Sequence, residues 1–208
     1  MAPSSSVPIV GLLLPLLFGL PAAGQGLVTN GGFDTDISGW FHTPESLESS
    51  IAWDPMDVDG LSTSGSARVE LDPAASGNGF SMNQCIEVSD EVLYDVGAWV
   101  FLPSSAPLDD SFVRIQWFDA PACDGSLLGG TDIATFEVAD VWFDVSDVDV
   151  APLVGAQSAR LYLTLLEDGS ISLNRVAYWD DVHFVPEPSG SVVPGALFLA
   201  AVARRKRG

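Results

Sequence analysis

Lysine is almost missing from this chain. There is one, Lys206, in 208 residues, and it belongs to a basic cluster at the C-terminal end. Between Gln25 and Val185 the only cations are Arg68, Arg114, Arg160 and Arg175. Of the 28 acidic residues only Glu187 lies outside that stretch, so it holds 27 acids and a charge of −23, beyond the −20 of the whole chain. Such a field repels nucleic acid and anionic membrane surfaces, and favours divalent cations and neutral ligands. The acids are interleaved with Val, Ile, Leu, Phe and Trp, so the excess does not mark disorder.

Histidine is as scarce. His42 and His183 stand in no nucleophile or metal motif, and two cysteines without a suitably spaced histidine exclude a zinc site. No Gly-x-Ser-x-Gly elbow, His-Glu-x-x-His helix or phosphate loop occurs. Asp57-Val58-Asp59-Gly60 has the look of an EF-hand fragment, but Pro55 and Ser66 stand where the loop needs an acid, which rejects it. With so many acids, accidental carboxylate pairs are unavoidable, so a small hydrolase stays open as the third reading. No convincing amphipathic helix and no internal repeat is present.

The ends carry the apolar runs. Met1 to Gly24 reads as a secretory signal, with a Leu-rich stretch from Ile9 to Leu20 and small residues at Ala22-Ala23-Gly24 before Gln25, although its n-region has no Lys or Arg. After Pro186-Glu187-Pro188, an apolar run from Val192 to Val202 meets Arg204-Arg205-Lys206-Arg207. That run is shorter than the ~20 residues of a spanning helix, and its basic end predicts a cytoplasmic C-terminus with the body outside. Residues 1–24, 25–185 and 186–208 thus divide into signal, body and tail. In an exported body, Cys85 and Cys123 predict a disulfide, worth about 4 kcal/mol on the chain-entropy model.

Within the body, short β-prone runs alternate with Gly, Pro, Asp and Ser clusters. Strands are expected at Leu27-Val28, Ile51 to Trp53, Ala67 to Leu71, Phe80 to Val88, Val92 to Leu102, Phe112 to Phe118, Val141 to Val148, Ala159 to Leu166 and Val176 to Val185, with Phe136 to Val138 before the acidic one. Asp119 to Gly130 reads as a turn holding Cys123. About eight or nine short strands predict an all-β sandwich of jelly-roll type. Alternation puts Val96, Ala98 and Val100 on one face against Gly97, Trp99 and Phe101, and Leu161, Leu163 and Leu165 against Arg160, Tyr162 and Thr164.

Val185-Pro186-Glu187-Pro188-Ser189, the apolar run and the basic end resemble the PEP-CTERM sorting signal of Gram-negative bacteria. The resemblance implies recognition by an exosortase-type enzyme, removal of the tail, and delivery to the cell surface or an exopolysaccharide matrix, with membrane contact only through the unprocessed tail. The body resembles carbohydrate-binding modules of families 4 and 9, which are galactose-binding-like jelly rolls. The residues that carry this are Asn30-Gly31-Gly32-Phe33-Asp34 with Gly39-Trp40, and Trp179-Asp180-Asp181-Val182 on the last strand. Gln84 to Val88 and Phe118 to Gly125 look like a disulfide-bearing variant. The resemblance implies a structural Ca²⁺ held by Asp34 and Asp180, with the Ser64 to Ala67 region supplying further ligands, although Ser64 replaces an expected carboxylate.

Six tryptophans in an exported β protein point to stacking on the apolar faces of sugars, although most aromatics in any fold are core residues. Trp40 and Trp142 read as structural. Phe80, Trp99, Trp117 and Tyr162 form the expected sugar platform, with Gln116 and Arg160 as polar partners. The leading expectation is a non-catalytic, calcium-stabilised glycan-binding sandwich. The second is a structural or adhesive surface protein on the same scaffold, without a specific sugar site.

Overall fold

The computed structural model describes residues 26–42, 49–71, 80–104, 111–134, 138–165 and 175–187, with the backbone alone at Phe80 and Ala134. The proposed signal, and the tail from Pro188 onward, lie outside the described residues.

Ten strands form, in chain order β1 (Phe41–His42), β2 (Ser50–Asp54), β3 (Ser66–Leu71), β4 (Phe80–Glu87), β5 (Tyr94–Phe101), β6 (Ser111–Phe118), β7 (Leu127–Ala134), β8 (Trp142–Val150), β9 (Ser158–Leu165) and β10 (Arg175–Pro186), with a 3-10 turn at Pro121–Cys123. They make two five-stranded antiparallel sheets, β1-β4-β9-β6-β7 and β2-β3-β10-β5-β8. The chain is an all-β sandwich.

Period-two alternation decides what each sheet buries. Val113, Ile115 and Trp117 of β6 and Leu161, Leu163 and Leu165 of β9 point inward from the first sheet. They meet Val96, Ala98 and Val100 of β5 and Ala177, Trp179 and Phe184 of β10. Burial of each large apolar chain is worth about 1.5–3 kcal/mol, and this shared core holds the two layers together. The small inward residues of β5 leave room for Trp179 from the neighbouring strand.

Several elements differ from the sequence expectation. Leu27-Val28 forms no strand; Leu27 N–H donates a single bond to the Phe184 carbonyl at 2.8 Å. The expected turn from Asp119 to Gly130 gives way at Leu127 to β7, an edge strand paired with β6. Pro186 does not stand outside the sheet: β10 runs through it, opposite Tyr94, and Glu187 N–H still donates to the Leu93 carbonyl at 2.8 Å. Phe136 and Glu137 lie outside the described residues.

The Asn30 to Phe33 turn is glycine-dependent for a reason the sequence did not show. The positive φ angles fall on Asn30 (54°) and Phe33 (42°), so Gly31 is required for close approach instead. A Cβ there would lie 2.1 Å from the Val182 carbonyl oxygen. The contact exists because β10 bulges: its register against β5 shifts between Asp180 and His183, with Asp181 at φ 45°. Val182 N–H, freed from the ladder, donates to the Gly31 carbonyl at 2.9 Å. The last strand thereby anchors the first turn.

Candidate functional site

Strand register assembles one polar row on the outer face of the first sheet. Phe41 of β1 pairs with Asn83 of β4, Asn83 with Tyr162 of β9, Tyr162 with Arg114 of β6, and Arg114 with Asp132 of β7. One step along, Cys85, Arg160, Gln116 and Gly130 form a second row. Phe41, at the edge, is 68% exposed. Tyr162 O–H donates to Gln116 Oε1 at 2.9 Å, which joins the rows.

The two arginines are set differently. Arg114 makes a two-pronged pair with Asp132 at 2.7 and 2.9 Å and lies over the Phe112 ring, 4.9 Å from its centroid. That carboxylate raises the guanidinium pKa further, and the guanidinium in turn holds Asp132 below its ordinary value. Arg160 lies 5.2 Å over Phe118 and donates to the Cys123 carbonyl at 3.3 Å.

At the β1/β4 edge this face opens into a cavity of about 450 Å³. Leu27, Phe41 and Ile86 supply its apolar walls, and Thr29, Gly39, Gln84, Cys85 and Glu87 the rest. Gln84 shapes it, because its amide donates to the Thr29 and Gly39 carbonyls at 2.9 and 3.1 Å while its oxygen accepts from Thr29 N–H at 2.7 Å. The Cys85–Cys123 disulfide, Cα–Cα 6.1 Å, ties β4 to the 3-10 turn, and Glu87 accepts from Ala122 N–H at 2.8 Å. Cavities of this size with a few fixed polar groups are within the range that small ligands occupy.

The expected sugar platform is therefore split. Tyr162, Gln116 and Arg160 come together. Trp117 does not join them: it is 0% exposed and belongs to the core, where it meets Phe184 edge-on at 6.3 Å between ring centroids. Trp99 lies half-buried on the outer face of the other sheet, paired with Asp180 and Asp144. Phe80 pairs with Leu165 in register, and its side chain is outside the described residues. Phe41 escapes sequence reading because its two-residue strand carries no periodicity, and Asn83 because the pairing of β4 with β1 is not visible in either segment alone.

The acidic loops at the β10 bulge form a second cluster. Asp180 is 1% exposed, and its two carboxylate oxygens accept from Val58 N–H at 3.0 Å and Asp181 N–H at 2.8 Å. Burial, with the charges of Asp181 and Asp57, pushes its pKa up to about 7 against two lowering hydrogen bonds. Asp181 is raised by burial and by Asp59, Asp57 and Asp34. Ser64 Oγ lies 3.2 Å from the Gly32 carbonyl and 3.4 Å from Asp34. Ala67 is buried within β3, paired on both sides. Among the described residues no three His, Cys, Asp or Glu side chains stand in a metal-holding arrangement.

No protein-family model matches the chain, and no curated protein matches it. Solved structures do. The CBM22-1 xylan-binding domain of Paenibacillus barcinonensis Xyn10C superposes with a TM-score of 0.56 at 12% identity, over 79% of this chain and 96% of that one. The enzymatically active domain of tailspike protein 4 from bacteriophage CBA120 gives 0.58 at 17%, over 77% of this chain and only 21% of the tailspike chain. A Stig cyclase from Fischerella sp. TAU gives 0.53 at 13%, over 78% and 97%. At such identities the likeness is one of fold. The chain is a β-sandwich whose structural neighbours include carbohydrate-binding modules.

Proposed function

We propose that this protein is an exported, non-catalytic module that binds polysaccharide on the outer face of the first sheet. The observation that carries the reading is the register-fixed row of exposed Phe41 and half-buried Asn83 and Tyr162 beside the cavity, with Gln116 and Arg160 one step along. An exposed ring offers an apolar face to a sugar, while amide, phenol and guanidinium groups serve its hydroxyls. The acid excess favours a neutral polymer. Affinity electrophoresis of the full chain in gels containing xylan, β-1,4-galactan or mixed-linkage glucan should show retardation in at least one, reduced about fivefold in apparent affinity by Phe41→Ala or Tyr162→Ala. If no polysaccharide retards the wild type, the reading fails.

Delivery belongs to the same proposal. The disulfide supports an oxidising location, and the signal and tail read from the sequence would carry the body to the cell surface or matrix through an exosortase-type enzyme. Mass spectrometry of the exported protein should find it begun near Gln25 and shortened near Pro188; an intact tail on the surface-borne product would refute the sorting step. Calcium remains a proposal supported by mutual repulsion among Asp34, Asp57, Asp59, Asp180 and Asp181. Millimolar CaCl₂ should raise the melting temperature above that in NaCl of equal ionic strength, and equal curves would remove the ion from the account.

A further inference from the structure

The second sheet carries an aromatic row on its own outer face, which no part of the proposed site uses. Trp142 of β8 pairs with Phe101 of β5, and Phe101 with Tyr178 of β10. The rings are neighbours across three adjacent strands, with centroids 5.7 Å apart for Phe101–Trp142 and 6.0 Å for Phe101–Tyr178. All three are half-buried. Trp142 is thus half-buried on the outer face of its sheet. Arg68 ends the row, paired with Tyr178 in register and bonded to Glu70 at 2.7 Å.

We infer that this row is a second polysaccharide-binding surface, so that one molecule engages two chains on opposite faces of the sandwich. The inference rests on the sugar-binding reading above. Three aromatics on a solvent face are not needed to cover the core, because Val96, Ala98 and Val100 already seal it from the inward side of β5. The surroundings choose the occupant. Exposed Asp144 flanks Trp142 two residues along β8 on the same face, and the one arginine of the row is already paired with Glu70. Polyanions and anionic lipid are repelled there, and a second copy of this chain would bring the same strong negative charge. A neutral polymer with C–H faces for the rings and hydroxyls that donate to the flanking carboxylate meets no such barrier.

The test uses the full chain with xylan and β-1,4-galactan, comparing wild type, Trp142→Ala, Tyr178→Ala and Phe41→Ala/Tyr162→Ala, each checked for an unchanged circular dichroism spectrum. Wild type mixed with soluble polysaccharide should raise its viscosity, with a maximum at an intermediate protein ratio. Trp142→Ala and Tyr178→Ala should abolish that rise while keeping electrophoretic retardation; the first-sheet double variant should lose the rise and also keep residual retardation. If the first-sheet variant alone removes all retardation, or both second-sheet variants raise viscosity as wild type does, the second surface is wrong and the first stands. Wild-type protein retarded by no polysaccharide removes both. Should Trp142→Ala lose its fold, Tyr178→Ala decides by the same readings.

Discussion

Asp180 shows how one residue's setting departs from its type. Its carboxyl, ordinarily near 3.8, is pushed up to about 7, chiefly by burial. The folded state therefore holds the proton more tightly than the unfolded chain does. By linkage, this residue's contribution to stability falls as pH rises from about 4 to about 7 and is flat above that. In chelator, thermal melts of Asp180→Asn should lack this slope. Asp180→Ala, which strips the acceptor from Val58 and Asp181 N–H groups, should lose stability at every pH, by about 1–3 kcal/mol for each donor left unmet. A wild-type melting curve that rises through this window would contradict the assignment. The same scale shows what could be read in advance. Arg160, Tyr162 and Thr164 were visibly outward, because Leu161, Leu163 and Leu165 alternate with them. Grouping Gln116 with Trp117 was already inconsistent, since neighbours in a strand face opposite ways; the register keeps Gln116 outside and sends Trp117 into the core.

At the level of elements, strands with strong alternation were legible and edges were not. β7 contains Gly129, Gly130, Thr131 and Asp132, a composition that reads as a turn. It is a strand because β6 offers a ladder from Phe112 to Phe118, interrupted only by a register shift between Trp117 and Phe118, and Gly130 passes so close that a Cβ would lie 2.9 Å from the Ile115 carbonyl oxygen. Gly31 is tighter still, so Gly31→Ala should cost at least about 2 kcal/mol in denaturant titrations, whereas Gly60→Ala, with open space at its Cβ, pays only for its positive φ. The disulfide closes a separation of 38 residues. Its loss in Cys85→Ala/Cys123→Ala should remove about 4 kcal/mol and lower the melting temperature by roughly 10 °C. An unchanged melt would mean that β4 and the 3-10 turn hold together without it.

For the whole molecule, charge is the dominant variable. A body of −23 with four arginines repels itself when compact. Raising NaCl from about 10 mM to about 300 mM shortens the screening length from about 30 Å to below 10 Å, and the melting temperature should climb steadily over that range; a fall would show that ion pairs such as Arg68–Glu70 and Arg114–Asp132 outweigh the repulsion. The sandwich also has a mechanical side. β10 is twelve residues long and antiparallel to β3 on one side and β5 on the other. A pull on the chain at Glu187 runs along the strand axis, so it loads both ladders in shear and must break many hydrogen bonds together rather than peel them singly. Tension applied at that end is borne by the strand best placed in the fold to resist it.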